Sequence, residues 1–266
     1  MKKILITGAA GGIGTSMRKL LKGFYSIRAS DIRKPDNLAA DEDFVQADLA
    51  DYAAAEKICA GIDGIVHLGG QSVEGSWQQV LNANIIGCRN VFEAAYRQGV
   101  KRVVFASSNH AIGFYRRTRK IGVDVPVRPD SRYGVSKVFG EAMGSLYSDK
   151  HGLRVTCLRI GNFGEAPIDE RRLSIWLSPE DCAQLMRIGL DHPDIRFEIF
   201  YGVSDNAKSW WDNSNAARFG YKPKGVAENF RQQAMAAQAK LPPDPVGDRY
   251  QGGTYTSDEY DADKRG

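Results

Sequence analysis

The amino-acid sequence predicts an α/β chain built on a doubly wound parallel sheet. Six short apolar runs alternate with helix-period segments, a glycine turn follows the first run, and an acid closes the second. A length of 266 residues suits one large domain or one with a small appendage. Apolar residues make up 42% and charged residues 26%, the ordinary balance of a soluble chain. The net charge is +4 with both signs interspersed, which argues against nucleic-acid and membrane partners. Cys59, Cys88, Cys157 and Cys182 stand far apart in apolar segments, so they read as reduced core residues of a cytoplasmic protein with no metal centre. The chain opens directly on a strand pattern and has no apolar run of about 18 residues, so neither secretion nor membrane spanning is expected.

The first strand, Lys2 to Thr7, runs into Gly8-Ala9-Ala10-Gly11-Gly12-Ile13-Gly14, and helical periodicity follows from Ser16 to Lys22. Gly8 suits a tight turn, Gly11 lets backbone approach a pyrophosphate, and Gly14 lets the helix pack closely, its N-terminal amides facing phosphate. The second strand, Ser26 to Ser30, ends at Asp31, seventeen positions past Gly14 (31 − 14 = 17). A carboxylate there accepts ribose hydroxyls and repels a 2′-phosphate, which favours NAD; the nearby Arg33 and Lys34 keep NADP open. The third strand, Phe44 to Ala47, is closed by Asp48-Leu49 where an adenine edge would lie, and Asp48 reads equally as the cap region of a helix over Asp51 to Ala60.

Gly64 to Leu68 is the fourth strand, and the small residues Gly69 and Gly70 allow a flat cofactor close to the backbone, with Ser72 facing what lies beyond. His67, inside the strand, reads as a packed core residue. Trp77 to Gln98 reads as one long helix, unusual for holding Asn82, Asn84, Gly87 and Asn90 in its interior. The fifth strand, Arg102 to Ala106, delivers Ser107-Ser108-Asn109-His110 to the sheet's carboxyl edge, where ligands bind in open parallel sheets. Gly113 to Asp130 is a polar excursion whose five basic residues read as a solvated face.

Tyr133 and Lys137 stand four apart on the helix that follows, one turn from each other on one face. A tyrosine titrates near pH ~10 and needs a fixed positive charge to act as a base at neutral pH, which Lys137 is placed to give. Ser108 is placed to bond the same substrate oxygen. Leu153 to Leu158 is the sixth strand, ending in Arg159-Ile160-Gly161-Asn162-Phe163-Gly164. An irregular loop, Glu165 to Arg172, carries Arg171; Ser178-Pro179-Glu180 then opens a helix to about Leu190, and Arg196 to Phe200 is the last strand. Residues 1–160 thus form a dinucleotide-binding core, 161–240 a small substrate-binding subregion completing the same domain, and 241–266 an irregular tail. In that tail Tyr250, Tyr255 and Tyr260 are available to dock on the body or a neighbouring subunit.

TGAAGGIG at 7–14, Asp31, DL at 48–49, HLGG at 67–70, Asn84, FASS at 105–108 and YGVSK at 133–137 resemble, in order, the extended short-chain dehydrogenase/reductases, enzymes with a Rossmann fold. GGQSVE at 69–74, NIIG at 84–87, FASSNHAIGFY at 105–115, RRLSIWLSPED at 171–181, WWDNS at 210–214 and QGGTY at 251–255 are similar, more narrowly, to the uronate dehydrogenase family. That resemblance implies oxidation of C1 of galacturonate or glucuronate to an aldarolactone with NAD. It implies Tyr133 as base with Lys137 on the nicotinamide ribose, and substrate contacts from Ser72, Ser108, Asn109, His110, Asn162 and Arg171. Cofactor contacts are implied for Gly12, Ile13, Asp31, Ile32, Arg33, Asp48, Leu49, Leu68, Gly69, Gly70, Asn84 and Phe163. Arg171 would pair with the C6 carboxylate. A homo-oligomer is the expected assembly. Asn162-Phe163 departs from the Ser-Cys that this family carries after RIG, which leaves a neutral aldose 1-dehydrogenase acting on arabinose or galactose as the alternative. A nucleotide-sugar epimerase or dehydratase is a further one, disfavoured by the short stretch after the sixth strand.

Overall fold

The computed structural model describes residues 1–264; residues 265 and 266 of the expected tail lie outside the described residues. Its strands are β1 (Lys3–Thr7), β2 (Ser26–Asp31), β3 (Asp43–Gln46), β4 (Gly64–His67), β5 (Arg102–Ser108), β6 (Arg154–Ile160), β7 (Asn162–Phe163), β8 (Trp176–Leu177) and β9 (Phe197–Gly202). The α-helices are α1 (Gly12–Leu21), α2 (Tyr52–Cys59), α3 (Trp77–Val80), α4 (Gly87–Arg97), α5 (Arg132–His151), α6 (Glu170–Ile175), α7 (Pro179–Asp191), α8 (Ser214–Arg218), α9 (Arg231–Gln238) and α10 (Thr254–Ser257). Seven strands make one sheet in the order β3-β2-β1-β4-β5-β6-β9, every pairing parallel. β7 and β8 form a separate two-stranded pair.

Strand side chains alternate between two cores, as the period of two requires. Ile4, Ile6, Val104 and Leu158 face Met17 and Leu21 of α1 and Leu185 and Met186 of α7. Leu5, Ile65, Val103, Phe105 and Val155 face Ile58 of α2, Val91 and Phe92 of α4 and Tyr147 of α5. Helices therefore cover both faces of the sheet. The chain winds outward from β1 to β3, returns to β4 beside β1, and winds outward the other way. That reversal opens a crevice at the carboxyl ends of β1 and β4, where a doubly wound sheet binds its ligand.

Helix starts follow local chemistry. Ser131 accepts from the Gly134 amide at 2.9 Å to cap α5, and Ser178 caps α7, with Pro179 next to it, by accepting from the Asp181 amide at 3.2 Å. Asp51, not Asp48, caps α2, accepting from the Ala53 amide at 2.9 Å; Asp48 closes the preceding turn on the Ala50 amide at 2.9 Å.

Four expectations need correcting, the first being the irregular tail, which carries the short helix α10 over Thr254–Ser257. The long helix is interrupted by a π-helical segment over Leu81–Ile86, between α3 and α4. A one-residue widening of a turn leaves no mark on helical periodicity. The loop expected to carry Arg171 is helical there: Asp169 caps α6 by accepting from the Arg172 amide at 2.9 Å. The basic excursion is not a simple solvated face. Arg117 donates to the carbonyls of Gly247 at 2.7 Å and Tyr250 at 3.1 Å, and Tyr115 and Ile121 pack with Trp211 in a small core of their own. Tail carbonyls bent away from water need donors, and arginine supplies several from one side chain.

Candidate active site

The glycine turn leads straight into α1, whose cap position is Gly11 and whose first amides meet no capping side chain. Gly12 has open space where a Cβ would stand, so the helix end is an uncluttered ring of donors suited to a pyrophosphate. At Gly14 a Cβ would lie 2.2 Å from the Gly8 carbonyl oxygen, so only glycine lets α1 sit against the turn. Asp31, at the carboxyl end of β2, accepts from the Ala10 amide at 2.9 Å and the Arg33 amide at 3.3 Å. Ile32, Arg33 and Asp48 are exposed beside it, Leu49 is part-buried, and Leu68, Gly69 and Gly70 follow β4. The Gly69 amide is fixed by Thr7 Oγ1 at 3.0 Å, and the same hydroxyl lies 2.8 Å from His67 Nδ1. Burial pushes His67 down to about 3, so it is a neutral core residue. Asn84, in the π segment, has its amide engaged by protein groups: the Gln71 amide at 2.7 Å, the Gln71 carbonyl at 3.1 Å and Ser136 Oγ at 2.9 Å. It shapes the loop after β4.

Tyr133 and Ser108 meet where α5 passes the end of β5. Burial pushes the Tyr133 phenol up to about 12, while its hydrogen bond with Ser108 works the other way. Lys137 is buried, with Nζ 2.8 Å from the Ala106 carbonyl and 5.3 Å from the centre of the Tyr133 ring. Burial pushes this lysine down to about 8. The lowering of the phenol by Lys137 expected from spacing is not what dominates here, because both groups are desolvated together.

Asn109, His110 and Arg171 come together just past the end of β5. Asn109 is buried; with its amide set so that both ends are satisfied, its nitrogen faces the Ile160 carbonyl at 3.2 Å and its oxygen accepts from Arg171 Nη2 at 3.1 Å. Arg171 Nε donates to the Gln251 carbonyl at 2.9 Å, so a carboxylate must be met by the terminal nitrogens. Burial, with Arg172 and Arg117 nearby, pushes Arg171 down to about 9, still charged at neutral pH. His110 Nδ1 donates to Asp130 Oδ2 at 2.8 Å, and desolvation lowers its pKa against that carboxylate's pull. Asn162 and Phe163 are part-buried in β7, which follows β6 and pairs with β8, and Ser72 is exposed after β4. A separate cavity of about 590 Å³, lined by Val125, Pro126, Val138, Phe197 and others, contains none of these residues.

Several residues of the site escaped sequence reasoning. Glu74 accepts from the Tyr133 amide at 2.9 Å and from Arg132 at 3.0 Å, holding the start of α5. Asp130 orients His110. Tyr255, one of the tail tyrosines expected to dock, does so from α10: it stacks on the His110 ring at 3.9 Å and meets Tyr133 edge-on at 6.3 Å. The tail thus docks on the body, over the site.

A parallel sheet with a bare helix terminus at its switch point, an acid on β2 and a Tyr–Lys pair beside a serine defines a dinucleotide-dependent enzyme class. The chain belongs to the NAD dependent epimerase/dehydratase family, whose model matches residues 4–178. More narrowly, it is similar to uronate dehydrogenase of Pseudomonas putida, 44% identical over 255 residues that cover 95% of both proteins. A crystal structure of uronate dehydrogenase from Agrobacterium tumefaciens, a mutant complexed with NAD, superposes with a TM-score of 0.92 at 44% identity, covering 97% of each chain. L-arabinose 1-dehydrogenase (NAD(P)(+)) of Haloferax volcanii is 36% identical over 251 residues, 84% of this chain and 97% of that protein.

Proposed function

We propose that the protein oxidises the anomeric hydroxyl of a hexuronate, galacturonate or glucuronate, to the aldarolactone with NAD. The observation that carries this reading is Arg171, a charged guanidinium held through Nε by the Gln251 carbonyl and through one N–H of Nη2 by Asn109, so that Nη1 and the second N–H of Nη2 are the donors offered to an anion, next to Ser108 and Tyr133. Similarity at 44% to uronate dehydrogenases supports the same substrate class.

Gly8, Gly11, Gly12, Ile13 and Gly14 would hold the pyrophosphate. Asp31, Ile32, Arg33, Asp48 and Leu49 would frame the adenosine, and Leu68, Gly69, Gly70 and Phe163 the remainder, with Asn84 shaping the floor. The start of α1, with no capping side chain and open space where a Cβ on Gly12 would stand, fits that group. Bound NAD supplies the hydride acceptor. Tyr133 takes the proton from the C1 hydroxyl, Ser108 holds that oxygen by hydrogen bond, and Lys137 positions the nicotinamide ribose. Ser72, Asn109, His110 and Asn162 engage sugar hydroxyls, and Arg171 pairs with the C6 carboxylate. On this reading residues 1–160 are the dinucleotide-binding core, which also carries Ser72, Ser108, Asn109 and His110, and 161–240 is the subregion that adds Asn162 and Arg171, with the tail over the site.

Exposed Leu81, Ile86, Val135 and Leu146, on helical segments packed side by side, support assembly with further copies of the chain. Four buried free cysteines support a reducing, cytoplasmic setting. Among the described residues no helix is long and apolar enough to cross a membrane.

A spectrophotometric screen of uronic acids and neutral aldoses with NAD and NADP tests the reading. NAD reduction with galacturonate or glucuronate is expected, and Tyr133→Phe should abolish it while the fold and NADH binding survive. Better turnover of arabinose or galactose would overturn the uronate assignment and leave the role of Tyr133 standing.

A further inference from the structure

Gln251 has none of its surface exposed. A buried primary amide must place one oxygen and two N–H groups. Here Oε1 accepts from Trp211 Nε1 at 2.8 Å, and Nε2 donates to the carbonyls of Arg116 at 3.1 Å and Arg119 at 2.9 Å. The main chain is equally committed: its amide donates to the Tyr115 carbonyl at 2.8 Å, and its carbonyl accepts from Arg171 Nε at 2.9 Å. One residue thereby ties the basic excursion and the Trp211 segment to the guanidinium on α6. The next residues leave no slack. A Cβ on Gly252 would stand 2.0 Å from Asp130 Oδ2, and Gly253, at φ +67°, would place one 2.6 Å from Arg171 Nε.

We propose that Gln251 is a positioning residue for recognition of the substrate's anionic end. Its amide anchors the tail so that its own carbonyl holds Arg171 Nε and aims the terminal nitrogens at the carboxylate. This rests on the reading of Arg171 as the carboxylate's partner. A guanidinium on a long stem has several orientations, and holding Nε removes most of them before the sugar arrives. Gln251 therefore acts on uronate affinity through Arg171, while proton transfer at Tyr133 and dinucleotide binding do not depend on it.

The test compares kcat, KM for glucuronate and NADH affinity by fluorescence in the wild-type protein, Gln251→Leu, Trp211→Phe, Arg171→Ala and the Gln251→Leu/Arg171→Ala double variant. Gln251→Leu should raise KM at least about tenfold, with kcat within about threefold and NADH affinity unchanged. Trp211→Phe, which keeps a ring stacked on Tyr201 and removes one donor to Gln251, should raise KM by less, and carries the test if Gln251→Leu does not fold. In the Arg171→Ala background Gln251→Leu should add less than about twofold, the non-additivity of residues acting as one unit. Equal effects in both backgrounds, or loss of kcat and NADH binding together, would mean a general structural role and overturn the proposal. If Arg171→Ala raises KM and neither Gln251→Leu nor Trp211→Phe does, the proposal alone fails. If Arg171→Ala leaves KM unchanged, the reading of Arg171 fails and the proposal falls with it.

Discussion

Lys137 is held in the site at a cost to the fold. Its pKa falls from the ordinary lysine value to about 8 because the ammonium is buried, with one carbonyl, Ala106, 2.8 Å away. Between those two values the unfolded chain binds more protons than the folded one, so stability rises with pH through that window. Below pH ~8 the folded protein carries the full penalty of the shift, on the order of 3 kcal/mol. Lys137→Met should therefore raise the melting temperature at pH 7 while abolishing turnover. The gain should shrink between pH ~8 and ~10.5 as the lysine loses its charge in the unfolded chain too. A gain that does not change with pH, measured by calorimetry, would contradict burial of a charge as its source. The sequence made Tyr133, Lys137, Ser108 and Asn109 legible because each sits at a fixed step from a strand end or a helix turn. Asp130, Glu74 and Gln251 were not legible as site residues. Their partners lie 20, 59 and 80 positions away, and no local period encodes a contact at such a distance.

Elements are placed by close approaches that side chains would forbid. α1 meets the glycine turn through Gly14, where an added methyl would strike the Gly8 carbonyl and the Ala9 backbone, neither of which can swing aside. Gly14→Ala should lower dinucleotide affinity at least about tenfold and the melting temperature by several degrees, because α1 and its amides must shift. Unchanged NADH affinity in a fluorescence titration would show that the contact does not set the position of the helix end. Strands and long helices were legible from period and caps. α6 was not, since six residues are too few to display helical periodicity, although Asp169 was available as a cap signal. The π segment escaped for the reverse reason: it lies inside a run whose apolar spacing already reads as helix.

Across the whole molecule, the region after residue 160 is stitched into the main sheet, because β9 pairs with β6 from Val155↔Phe197 to Ile160↔Gly202. The parts before and after residue 160 should therefore melt together. Tryptophan fluorescence, dominated by Trp176, Trp210 and Trp211 beyond β6, should report the same transition as far-ultraviolet circular dichroism. Two separated transitions would divide the chain at β6. The docking of the tail has a consequence during synthesis. A ribosome releases the chain from its N-terminus, and domains begin to fold as they emerge. The turn before α1, Asp31, Ser108 and Tyr133 are all free of the ribosome long before Tyr250 and Gln251, which grip Arg117 across 133 positions and Arg171 across 80. A growing chain thus completes the glycine turn and the Tyr133 helix well before it gains the tail contacts that fix Arg171 and cover His110.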